Sequence, residues 1–61
     1  MQLGSRWSVR ATAPRGLSDA LLAEIARVEA TLAADTTLRW TLTWLEGRPV
    51  VELDDGTVLR G

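Results

Sequence analysis

Two stretches of this chain alternate between apolar and polar residues, and a stretch with helical spacing lies between them. From Leu3 to Ala13, Leu3, Ser5, Trp7, Val9, Ala11 and Ala13 fall on one side, and Arg6, Ser8, Arg10 and Thr12 fall on the other. Period two of this kind predicts a half-buried strand, ended by Pro14 and Gly16. From Thr37 to Leu45 the alternation returns. Leu38, Trp40, Leu42 and Trp44 face one way, and Thr37, Arg39, Thr41 and Thr43 the other. The tryptophans at i and i+4 would also share a helix face, but the threonines and the strict alternation favour a strand.

Residues 18–34 read as a helix. Ser18 is a suitable N-cap, Asp19 sits well against the helix dipole, and Leu17 can pack on Leu22 as a hydrophobic staple. Leu21, Ile25, Val28 and Leu32 form an apolar stripe, with Glu24 and Arg27 paired on the opposite side. Glu29 lies at the edge of the stripe, either as a rim residue or as a charge that pairs across an interface.

Glu46-Gly47 predicts a turn into "PVVELD", residues 49–54. A two-residue loop sets Leu45 opposite Arg48, Leu42 opposite Val51, Trp40 opposite Leu53 and Arg39 opposite Asp54. Apolar then meets apolar on one face and opposite charges meet on the other. A three-residue loop would put Leu42 against Glu52. Asp55-Gly56 carries the type I′ hairpin signal and leads into a short last strand at residues 57–59.

The order predicts a single small α+β domain over residues 1–61, of βαββ(β) form. One helix packs on one face of a three- to four-stranded, mostly antiparallel sheet with a parallel, right-handed first crossover. The spatial order 1-2-3-4 is favoured over one with the first strand beside the third. Trp7 and Trp40 are expected in the core, where each contributes about 4–6 kcal/mol, from about 150–250 Å² at about 25 cal/mol per Å². Trp44, near the turn, is expected either to pack over the core edge or to form, with Leu45, an apolar interaction patch.

Composition narrows the chemistry. Among 61 residues there is no cysteine, histidine, lysine or tyrosine. Disulfide and zinc staples, the commonest general bases, the best nucleophiles and Schiff-base chemistry are thereby excluded, and so is a phosphate-binding loop of the GxxxxGK type. No enzyme activity, catalytic residue, cofactor, metal or small-molecule substrate is expected. Glu52, Asp54 and Asp55 cluster, but their spacing is that of a turn rather than a calcium loop. All seven basic residues are arginine, and alanine, arginine and leucine abound. That bias is the mark of GC-rich codons and points to a GC-rich bacterial genome. No segment approaches the ~20 apolar residues of a membrane span. The first 16 residues do not read as a signal peptide, and the absence of cysteine fits a cytoplasmic protein.

Two functions remain. The first is a non-enzymatic protein–protein interaction module that self-associates or docks on a partner, using Trp44, Leu45, Glu29 and the alanine flank of the helix. The second is a weak nucleic-acid or regulatory binder using Arg6, Arg10 and Arg39 on the outer sheet face. The net charge of −1, and tryptophans on the inner parity, disfavour the second.

Overall fold

A computed structural model describes residues 4–61; Leu3, placed by its alternation at the start of the first strand, lies outside the described residues. The elements are β1 (Ser5–Ser8), α1 (Asp19–Glu29), β2 (Arg39–Leu45), β3 (Arg48–Leu53) and β4 (Val58–Arg60). They build an α+β fold with one helix and a four-stranded sheet in the order β1-β2-β3-β4.

Every strand pair is antiparallel, the first included. This corrects the expected parallel crossover, and the reason is the linker. Residues 11–17, with Pro14 and Gly16, are long enough when extended to run about 20 Å, the length of β2 itself. The linker crosses the sheet outward and the helix, about 16 Å long, brings the chain back. β2 therefore begins where β1 ends, and Val9 N–H bonds the Leu38 carbonyl at 3.3 Å to close the excursion.

The β2–β3 register is the one that side-chain matching predicts: Leu45 opposite Arg48, Leu42 opposite Val51 and Trp40 opposite Leu53. Glu46 (φ 52°) and Gly47 (φ 78°) both have positive φ, as a two-residue type I′ turn requires. The second turn differs from expectation. Gly56 alone has positive φ there, at 98°, while Asp55 does not. Gly56 N–H bonds the Leu53 carbonyl at 2.9 Å and Leu53 N–H bonds the Thr57 carbonyl at 2.8 Å. Residues 54–56 thus form a three-residue loop closed by a glycine bulge rather than a type I′ pair. Asp55 Oδ1 takes the Thr57 N–H at 2.9 Å, which holds it as the side-chain-bonded member of the turn.

The helix is shorter than its periodicity. It begins as expected, with the Ser18 hydroxyl accepting from Leu21 N–H at 3.1 Å. It ends at Glu29 rather than at residue 34. Thr31 N–H and Leu32 N–H reach back only three residues, to the Val28 and Glu29 carbonyls, and the Thr31 hydroxyl also bonds the Val28 carbonyl at 2.7 Å. Local hydroxyl competition of this sort shortens helices.

The core lies between helix and sheet. Trp7, Leu21, Ile25, Trp40, Leu42, Val51 and Leu53 are buried, with Val9, Leu17, Val28, Leu38 and Leu59 partly buried around them. Trp7 and Trp40 face each other across β1 and β2, stacked with ring centroids 6.4 Å apart.

Candidate functional site

The polar groups sort into two places: a clamp beneath the helix end and the sheet face that the helix leaves open.

In the clamp, Glu29 Oε2 accepts the Trp40 indole N–H at 2.9 Å and the Arg10 backbone N–H at 2.8 Å. Arg10 has φ 70°, a left-handed conformation that costs a non-glycine residue about 1–2 kcal/mol. Its guanidinium is the compensation. It donates to the carbonyls of Glu29, Leu32 and Ala33 at 3.0–3.3 Å. The Glu29 and Ala33 carbonyls also take local N–H groups, from Leu32 and Thr36, so the guanidinium adds a second donor to each and caps the helix end from another segment rather than through a local glycine. Glu29 therefore spends Oε2 inside the molecule, on the Trp40 indole and the Arg10 backbone. Arg10 leaves the outer sheet face where alternation put it, because the turn at Val9-Arg10 breaks the period of β1. Nothing in the sequence spacing brings Arg10 to Glu29.

The open face follows the register. Its successive rows are Ser8 and Arg39; Arg6, Thr41, Glu52 and Val58; Thr43, Val50 and Arg60; and Leu45 with Arg48. Arg6 and Arg39 are where alternation placed them, but the expected Arg39–Asp54 ion pair is replaced. Asp54 pairs with the Arg6 guanidinium at 3.2 Å and takes the Arg39 backbone N–H at 3.1 Å. Arg6 reaches across β2, bonding Thr41 Oγ1 at 2.9 Å on the way. The Arg39 side chain has no carboxylate within salt-bridge distance among the described residues.

Leu45 is 60% exposed and Val58 44%, and both lie on this face. Trp44 points to the other side. It is half-buried, opposite Pro49, and its ring lies over Gly16, where an added Cβ would come within 3.5 Å of Cζ2. Trp44 and Leu45 therefore do not form one patch: neighbours in a strand face opposite ways.

Two shallow depressions mark the open face. One, of about 260 Å³, is lined by Arg6, Thr41, Glu52 and Asp54, one arginine against two carboxylates. The other, of about 230 Å³, is lined by Leu45, Glu46, Arg48, Pro49, Val50 and Arg60. Arg48, Val50, Val58 and Arg60 were not singled out from the sequence. The signal was present, since the period of two carries on through "RPVVEL" and "VLR" once the register is known.

Among the described residues no group of three histidine, cysteine or carboxylate side chains is placed to hold a metal ion. No helix is long and apolar enough to cross a membrane among them. Comparisons with protein families, curated proteins and solved structures return no match.

Proposed function

We propose that this chain is a small non-enzymatic interaction module that docks a protein partner on the open face of its sheet. The observation that carries this reading is the one-sided fold. A single helix covers one face, and the other exposes Leu45 and Val58 among arginines. Five carboxylates and three arginines lie elsewhere on the molecule, so the open face, with Arg6, Arg39, Arg48 and Arg60 against Glu46, Glu52 and Asp54, has an excess of one positive charge on a chain of net charge −1. Nucleic acid is the weaker occupant. Sheet surfaces that hold single strands stack bases on aromatic rings, whereas all three tryptophans here belong to the helix side.

A photo-crosslinking amino acid at position 58, on the open face, and at position 23, on the exposed flank of the helix, tests the reading in cells. Adducts with protein from position 58 and none from position 23 are expected, and an adduct with a second copy counts as self-association. Adducts confined to position 23, or none at either site combined with a monomer in sedimentation, would overturn it.

A further inference from the structure

The open face is not uniform, and its two halves differ in what they leave unpaired. Around Arg6, Thr41, Glu52 and Asp54 the lining arginine is already engaged: Arg6 bridges to Asp54, Asp54 also holds the Arg39 N–H, and the Glu52 carboxylate leaves this end acidic. At the opposite end, Arg48 and Arg60 flank Leu45, Pro49 and Val50. Arg60 is directly opposite Val50 and Arg48 opposite Leu45, so the two guanidinium groups stem from diagonal positions on adjoining strands. Neither has a carboxylate within salt-bridge distance among the described residues. Glu46 is the only acid lining this depression, against two arginines.

Size decides the kind of partner. Four strands about 4.8 Å apart span roughly 14 Å, and the longest is roughly 20 Å, so the flat face offers about 300 Å² in projection. A standard interface takes about 800 Å² from each partner. That would be close to a fifth of the molecule's 4325 Å² surface. A projected face of this size suits one extended segment better than the broad footprint of a dimer or a folded partner.

Resting on the reading above, we infer that the Leu45–Arg48–Val50–Arg60 end of the open face binds a short peptide segment in which a carboxylate residue adjoins an aliphatic one. The aliphatic side chain covers Leu45 and Val50, and the carboxylate takes the paired donors of Arg48 or Arg60, for which a guanidinium fork is suited.

Panning a phage library of random twelve-residue peptides on the immobilised full chain tests the inference without presuming a sequence. Enrichment of peptides with Asp or Glu beside Leu, Ile or Val is expected. A synthetic copy of the best one, followed by fluorescence anisotropy, is expected to weaken about tenfold on R48E/R60E. The same charge change at R15E/R27E, away from the face, is expected to leave binding within about twofold. R48Q/R60Q, which removes the donors without reversing charge, keeps the test valid if the glutamates disturb folding. Enriched peptides without acidic residues, binding unmoved by R48E/R60E and by R48Q/R60Q, or a single-stranded oligonucleotide that competes the peptide off at equal affinity would each overturn the inference. Peptides that bind the face without acids would leave the docking module standing, whereas the crosslinking result alone decides that broader reading.

Discussion

Glu29 and Trp40 are joined by a 2.9 Å hydrogen bond from the indole N–H to a carboxylate oxygen, and Trp40 is fully buried. The same oxygen holds the backbone of Arg10, so one side chain fastens helix, sheet and linker together. Glu29→Ala would leave two N–H groups without an acceptor. The expected loss is about 2–4 kcal/mol in urea unfolding. Glu29→Gln keeps an acceptor oxygen and gives up only the charge, with about 1 kcal/mol expected. Equal losses for the two variants would show that the carboxylate is not acting as this acceptor.

The two stacked tryptophans are chemically unequal. Trp40 Nε1 is bonded to Glu29, whereas Trp7 Nε1 is buried with no partner among the described residues. Phenylalanine at either place loses comparable ring area. At position 40 it also removes one of the two N–H donors to the Glu29 carboxylate, and at position 7 it removes an unsatisfied donor. Trp40→Phe is therefore expected to destabilise by roughly 1–2 kcal/mol more than Trp7→Phe, read from denaturant midpoints of the two variants.

Glu46 occupies a left-handed position, φ 52°, that asparagine adopts more readily. Glu46→Asn in this exposed turn is expected to stabilise by about 0.5–1 kcal/mol. Thermal unfolding checks it, and an unchanged or lower midpoint would contradict the type I′ assignment.

Asp55 titrates below its usual 3.8, chiefly because the Thr57 backbone N–H donates to its carboxylate, with a further contribution from the Thr57 side chain. A depressed carboxylate contributes stability above the unfolded-state value and loses it as pH falls through the folded one. The stability difference between the natural chain and Asp55→Ala is thus expected to be full at neutral pH and to vanish on acidification below 3.8. Denaturant titrations across that range read it, and a difference independent of pH would remove the carboxylate from the turn.

Much of this fold was legible in the residues. Alternation identified β2 and its buried side, and the matching of Leu42 with Val51 and Trp40 with Leu53 gave the hairpin register. The strand order also agrees. What escaped were features made by contacts distant in sequence. Arg10 adopts its left-handed turn because Glu29, 19 residues away, accepts its N–H, and no local pattern encodes that. Asp54 faced a choice of two arginines, and only the position of β1 beside β2 gives it to Arg6. The direction of β1 depended on whether the linker or the helix alone crosses the sheet, a question of length rather than polarity. At the open face, the sequence showed Leu45 and Arg39 but not that Arg48 and Arg60 gather at one end.

The return of the linker and helix to the end of β1 also has a consequence in time. β2, β3 and β4 are joined by turns of two and three residues, so their pairings need only local closure, on a scale of about 1–10 μs for a hairpin. β1 meets β2 across a far larger separation, 35 residues between Arg6 and Thr41. Such contacts form only after a long loop has closed. The meander of β2 to β4 is thus the part of the molecule that can assemble early, and β1 joins as the excursion from Val9 to Leu38 closes. The Arg10–Glu29 clamp is then a late-forming contact, whose removal should quicken unfolding more than it slows folding.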